Sequence, residues 1–391
     1  MSSALVIGSG PAGLMAAEVL ARSGLSVIMT EHKPSVGRKF LMAGKSGLNL
    51  TKDEKDADFL RAYGDAAPWL APMIDAFGPA EVMAWAEDLG QDIFTGTTKR
   101  VFPKAMKASP LLRATLARLD EFEVDRKTRW RWTGWDGDAV TFDTPDGPQS
   151  VTADVTIFAL GGGSWAKLGS DGAWLELFTK AGHPTARFEP SNSGLLVAWS
   201  DHMARHFGTP VKNIALKAGT HASRGEIIVT SAGIEGGGIY ELTPALRDAA
   251  SLTIDLLPDL TEAAIATRLK RPRGKASMGT YLRKALKLDP AKIGLLNECG
   301  RPLPEGAKLA ALIKALPVPY TSLAPLDQAI STVGGLTRDA VNNDLMLRAR
   351  PGSFVAGEML DWDAPTGGYL ITACLATGAW AGHAAARYAQ R

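Results

Sequence analysis

Gly8-Ser9-Gly10-Pro11-Ala12-Gly13 can do chemistry without any reactive side chain. The six residues fit the pattern GxGxxG and lie between a short apolar run, Ala4 to Gly8, and a helical pattern that starts at Pro11. In that setting Gly8 permits a tight turn, Gly10 lets the backbone approach a pyrophosphate, and Gly13 lets helix and strand pack closely. The phosphates then sit at the positive end of the helix. Gly8, Gly10, Pro11, Ala12 and Gly13 are therefore expected to line a dinucleotide. Glu31, eighteen residues past Gly13, ends the next apolar run, where a carboxylate can accept from ribose hydroxyls. Arg38 and Lys39 follow in a loop, well placed to pair with the pyrophosphate.

Other chemistries find little support. There is no Ser-His-Asp order and no HExxH, and the six histidines are scattered. Cys299 and Cys374 are far apart and in no CxxC pair, which argues against zinc, iron–sulfur and disulfide frameworks and makes a reducing cytoplasm the natural compartment. No metal site is expected. The apolar start lacks a basic region before it and is broken at once by Gly and Pro, so it reads as a strand rather than a signal peptide. No segment approaches the length of apolar chain needed to span a bilayer. A net charge of +2 gives no global case for nucleic acid or membrane binding.

The elements that must position the fingerprint read as an α/β pattern. Pro11 to Ser23 is a helix with Leu14, Ala17, Val19 and Leu20 toward the core, closed by Gly24, and residues 26–30 form the second strand. Residues 35–51 read as a ligand-binding loop, followed by helices near 68–77, 79–89 and 109–119, a β-meander from Arg129, and a buried strand at 155–160. From about residue 187 the chain turns to short strands, then to helices over 261–315, and from Ala329 the Gly-rich apolar style of the amino-terminal part resumes. A chain of 391 residues is long for one core. The simplest organisation is a discontinuous Rossmann-like domain of residues 1–186 and 331–391. A β-rich inserted substrate domain, 187–258 and 316–330, carries a helical subdomain, 259–315.

The fingerprint alone does not separate FAD from NAD. The order and spacing of several further stretches, Gly37-Arg38-Lys39, Ala43 to Thr51, Arg100 to Pro103, Leu160 to Gly172 and Ser331 to Gly378, resemble the BaiN-like, or aminoacetone-oxidase-like, bacterial flavoproteins, and more narrowly their shorter branch. The resemblance implies FAD and an FAD domain interrupted by a barrel-like insertion that carries a small helical domain. It places Gly44, Ser46 and Asn49 beside the isoalloxazine, and Gly161 and Gly162 at a second flavin motif. Gly357 and Glu358 fall at the ribityl or pyrophosphate region, and Gly367, Gly368 and Tyr369 at a helix end facing the flavin. The two glycines at 367 and 368 are expected to remove side chains that would hold the ring away. Arg100 and Tyr369 are the candidate catalytic groups, for binding a substrate carboxylate and donating a proton. Where the family has Arg-Cys-Asn this chain has Gly47-Leu48-Asn49, which excludes a thiol beside the flavin at that position.

The expected activity is FAD-dependent hydride transfer between flavin N5 and a small organic substrate. Either NAD(P)H or oxygen completes the cycle, and with no second GxGxxG in a strand–helix setting any NAD(P)H binds only transiently. Two alternatives stand beside it. One is a flavin-dependent RNA-modifying enzyme, favoured by the basic stretch 268–287, and the other is a non-catalytic FAD-binding redox sensor.

Overall fold

The computed structural model describes residues 2–45 and 47–391. The chain divides into two compact units, Met1–Glu189 with Ser331–Arg391, and Pro190–Ile330.

The first unit is built on a five-stranded parallel sheet. Its order is Ser353–Val355, Val155–Phe158, Ser3–Ile7, Ser26–Glu31 and Asp125–Thr128. Strands covered on both faces are expected to read as near-continuous apolar runs, and Ala4 to Ile7 and, with Thr156 the one polar member, Val155 to Phe158 do so because every one of those side chains is buried. Two helices lie together on this sheet, Pro11–Arg22 and Tyr369–Ala389. The sequence reading gave the first helix one buried face. In the structure Ala12 through Leu20 are all buried, because the second helix covers the side turned from the sheet.

That covering is very close. A Cβ on Gly378 would lie 2.4 Å from the carbonyl oxygen of Ala12, and one on Gly382 would lie 3.0 Å from the Val19 side chain. The polar groups trapped near this contact are satisfied. Buried Glu18 accepts from Arg22, from Arg118 at 3.0 Å and from the Trp85 indole at 3.2 Å. The meander read from Arg129 is a three-stranded antiparallel sheet, Arg131–Asp136, Ala139–Asp143 and Gln149–Val151. It lays Trp132 and Trp135 against Phe158 and Phe178. Several elements were missed, among them the sheet strand Asp125–Thr128 and the helices Asp56–Arg61 and Trp174–Lys180. The expected loop at 35–51 also contains the helix Arg38–Ala43, entered through Gly37 in the left-handed region at φ 65°. The polar residues around it hid a short Phe-Leu-Met-Ala run that can turn helically.

The second unit is a seven-stranded antiparallel sheet whose two edge strands, Leu316–Val318 and Tyr320–Leu323, are separated by Pro319 alone, so the sheet is nearly closed into a barrel. Four helices, Glu262–Leu269, Met278–Leu286, Pro290–Gly300 and Gly306–Lys314, pack on the same apolar core as the strands and have none of their own. Among the described residues no helix is long and apolar enough to cross a membrane.

The helix contact makes a graded prediction. Gly378→Ala drives a methyl to 2.4 Å from a backbone carbonyl, whereas Gly382→Ala comes only to 3.0 Å from the Val19 side chain, a milder crowding. Thermal unfolding is expected to show a loss of about 1–3 kcal/mol or more for Gly378→Ala and clearly less for Gly382→Ala. Equal losses would contradict the described packing.

Candidate functional site

The strand Ser3–Ile7 delivers Gly8 at φ +110°, where an added Cβ would lie 2.1 Å from the carbonyl oxygen of Ala159. A Cβ on Gly13 would lie 1.9 Å from the carbonyl oxygen of Gly8. Both glycines are thus required by protein packing alone. Gly10, at the N-cap of Pro11–Arg22, is different. It has ordinary extended backbone, and a Cβ there would meet nothing within 4 Å. No described part of the protein explains a glycine at position 10, whereas a phosphate held against the amides of that helix end would.

Glu31 ends the second strand beside this turn. It accepts from the Ser9 hydroxyl in a short contact and from the Lys33 amide at 2.7 Å, and the Gly37 amide donates to Ser9 Oγ at 3.3 Å. Ser9 and Glu31 therefore lock the turn to the end of the strand. Next to them His32 is kept mostly neutral because burial pushes its imidazole pKa down, against the pull of Glu31 and Asp171.

Lys39 and Glu358 were placed separately on the cofactor from the sequence. In the structure they meet each other at 2.8 Å, and Lys39 Nζ also donates to Ser164 Oγ at 3.0 Å. The other Glu358 oxygen accepts the Thr332 amide at 3.0 Å, and Thr332 Oγ1 accepts the Gly163 amide at 3.2 Å. A Cβ on Gly162 would collide with Thr332 Oγ1 at 2.0 Å, so this glycine admits the buried network. Gly161, at φ +73°, turns the chain there and accepts the Trp174 indole at 2.9 Å. Gly357, at φ +82°, brings the backbone against Ala12 of the first helix. Arg38 has one anchor, donating to Ser35 Oγ at 3.1 Å.

Ser46 lies outside the described residues. Gly44 is glycine because Ala108 stands 2.5 Å from where its Cβ would be, and Gly47 is in the left-handed region at φ +113°. Asn49 follows, and Thr51–Lys52 pairs with Arg100–Pro103 so that Lys52 faces Arg100 across the ladder. The start of the helix Tyr369–Ala389 comes to this pair of strands. A Cβ on Gly367 would lie 3.2 Å from Arg100 Nε, and one on Gly368 would lie 2.5 Å from Thr51 Cα. This corrects the reason given for Gly368. Both glycines have positive φ, and Gly368 is also demanded by the Thr51 backbone, so that glycine does not measure how closely a ring approaches.

Tyr369 is buried, with its ring against Phe59 and Tyr63. Its hydroxyl donates to Glu54 in a short contact and accepts from Lys52 Nζ at 2.9 Å, while Lys52 and Glu54 pair at 3.1 Å. The Arg100 guanidinium is half-buried and has no hydrogen-bond or ion-pair partner among the described residues. Behind the cluster, burial pushes the Cys374 thiol up to about 12 and the Tyr63 phenol well above its ordinary value, so both stay protonated near neutral pH.

Whether these residues fit a dinucleotide can be tested on buried polar atoms that have no partner. Among the described residues there are five, and three of them are His32 Nε2, Arg38 Nε and Asn49 Oδ1. They belong to three successive stretches of the region that the sequence assigned to ribose, pyrophosphate and flavin ring. Buried donors and acceptors are rarely left unmade, so a polar ligand running from the end of the second strand to Asn49 fits what is missing. Among the described residues no cluster of three or more His, Cys, Asp or Glu could hold a metal.

Comparison with known proteins agrees. A family model described as the HI0933-like protein Rossmann domain matches residues 2–384. The chain belongs to the HI0933-like family. With that membership it is a flavoprotein, an FAD-dependent oxidoreductase with a Rossmann-type fold. It is 26% identical to the 3-dehydro-bile acid delta(4,6)-reductase of Clostridium scindens over 97% of this chain and 98% of the relative. It is 24% identical to the ribosomal RNA dihydrouridine synthase of Haemophilus influenzae over 73% of this chain and 72% of that one. Among solved structures, the 3-ketosteroid delta1-dehydrogenase of Sterolibacterium denitrificans shares the fold at a TM-score of 0.56, with 12% identity over 99% of both chains.

The sequence reading of this HI0933-like protein missed Ser9, Lys52, Glu54, Ser164 and Thr332. The first lies inside the fingerprint, where a polar residue between glycines could have suggested a lock on Glu31. The others carry no local signal, because their partners are up to 317 residues away.

The glycine geometry predicts a split. Gly10→Val is expected to fold with an unchanged melting temperature when both proteins are stripped of flavin, yet to purify colourless. Gly13→Ala is expected to unfold or aggregate. A yellow Gly10→Val protein would show that the phosphates lie elsewhere.

Proposed function

We propose that this flavoprotein reduces a carbon–carbon double bond conjugated to a carbonyl group in a small organic molecule, with NAD(P)H as the electron donor. The observation that carries this reading is Arg100, a half-buried guanidinium with no protein partner among the described residues, beside the start of the helix Tyr369–Ala389. A guanidinium in that state suits the oxygen of a carbonyl or carboxylate, which it can bind with two parallel hydrogen bonds. The relatives support the reaction class. A 3-dehydro bile acid with delta(4,6) unsaturation is a conjugated ketone, and dihydrouridine differs from uridine by a reduced double bond next to a carbonyl.

When bound, FAD supplies a hydride donor at N5. The chain's own residues do the rest of the work. Gly10, Pro11, Ala12 and Gly13 hold the pyrophosphate at the helix end, with Arg38 beside it, and Glu31 with His32 takes the ribose. Lys39 and Glu358 act as a fixed pair at the ribityl chain, and Gly44 and Asn49 lie along the ring. Arg100 draws electron density toward the substrate carbonyl. Tyr369 gives the proton that completes the reduction, and Lys52 and Glu54 restore it from solvent, to which Lys52 is partly open. The two thiols, Cys299 and Cys374, are unpaired, which suits a reducing cytoplasm.

A second reading, in which the conjugated carbonyl belongs to a pyrimidine of RNA, is favoured by the similarity to the ribosomal RNA enzyme.

Anaerobic stopped-flow tests the first reading in two halves. Reduction of the bound flavin by NADPH or NADH should be little changed in Tyr369→Phe and Arg100→Ala. Reoxidation by a cyclic enone should slow by about 10²-fold or more in Tyr369→Phe. In Arg100→Ala it should lose about ten- to a hundredfold in apparent second-order rate, as expected for a charge-assisted hydrogen bond of about 1.5–3 kcal/mol. Wild-type reduced flavin that ignores every enone but is reoxidised at once by oxygen would identify an oxidase instead.

A further inference from the structure

Between Glu262 and Asp289 the second unit has no acidic residue and eight Lys or Arg. Subtracting those eight charges from the chain's +2 leaves −6 on the rest, so the near-neutral total conceals a strong separation. All eight cations are exposed, and none makes an ion pair among the described residues.

The helices explain only some of them. Thr261 and Ser277 cap Glu262–Leu269 and Met278–Leu286, and Ile265, Leu269, Leu282 and Leu286 turn into the core. Arg283, Lys284 and Lys287 share the outward side at the end of the second helix, where positive charge suits the helix dipole. Arg273 and Lys275 have no such reason. They lie between the two helices, with Arg271 and Lys270, on a connection whose ends are tied where the Tyr281 hydroxyl donates to the Leu269 carbonyl. None of the chain's exposed large apolar side chains falls in this stretch, which removes the apolar face a membrane-surface helix needs. No exposed aromatic is there for bases to stack on either.

We propose that residues 268–287 form a docking surface for the phosphate backbone of RNA. Regular cations with neither acids nor stacking groups fit repeated phosphates, read by charge and spacing rather than by base. The choice of RNA rests on the second reading above. The surface itself rests on charge and exposure, so it can be tested without turnover.

The flavin-loaded full-length protein is titrated by fluorescence anisotropy with a labelled structured RNA, a duplex DNA of equal length, polyglutamate and anionic lipid vesicles. The variant Lys270→Gln, Arg271→Gln, Arg273→Gln, Lys275→Gln is compared with the same four positions as Arg or Lys exchanged for one another. RNA binding should weaken at least tenfold at low salt in the glutamine variant, with a slope of log affinity against log salt shallower by about 3–3.5 for the four lost contacts, given roughly 0.7–0.9 per phosphate contact. The charge-conserving variant should bind as wild type, and flavin content and melting temperature should be equal in all three. RNA affinity unchanged in the glutamine variant would overturn the proposal, as would binding of polyglutamate or vesicles in preference to RNA. Dihydrouridine formation, assayed separately, decides the second reading. RNA bound through this surface with no dihydrouridine made leaves the docking intact and removes only the modification reaction.

Discussion

The first unit depends on backbone meeting backbone where no Cβ can stand. Gly13 places the first helix on the carbonyl of Gly8, Gly8 sits on Ala159, and Gly378 lets the last helix reach the carbonyl of Ala12. Strand, turn and both helices are held in one stack by these three contacts. A methyl group at any of them would move the helix end from which a phosphate would take its hydrogen bonds. The dispersion energy gained per atom pair is small, but such stacks are dense and leave little freedom for partial adjustment.

Around that stack, charge is handled by pairing segments distant in sequence. Lys39 with Glu358, and Lys52 with Glu54 and Tyr369, join the amino-terminal fifty-odd residues to the carboxy-terminal sixty. A partly buried pair such as Lys39 and Glu358 is weak evidence of stability, because desolvation opposes the attraction. Its consequence is specificity of position. Each partner also has a neutral hydrogen bond, to Ser164 and to the Thr332 amide, so the pair has one arrangement.

Much of this was legible before the structure. The strand–turn–helix of the fingerprint, the buried run at 155–160, and the helices near 68–77 and 79–89 follow from periodicity and Gly–Pro punctuation, which act over a few residues. The helix Arg38–Ala43 was not legible, because its polar flanks look like those of a loop. The purpose of Gly368 was misread. Sequence shows that a side chain is absent, and only the fold shows whether Thr51, Arg100 or a ligand fills the space. Lys52 and Glu54 escaped notice because their partner, Tyr369, is brought to them by the fold rather than by spacing.

The division of the first unit between two distant stretches has a consequence for synthesis. The helix Pro11–Arg22 is made before the helix Tyr369–Ala389 that covers much of its apolar side. In the interval the whole of Pro190–Ile330 is made, and its strands and helices share a core supplied from within that stretch. The second unit can therefore close while the first still waits for its final helix. During that wait the nascent chain displays an uncovered apolar surface, the kind of surface on which chaperones act.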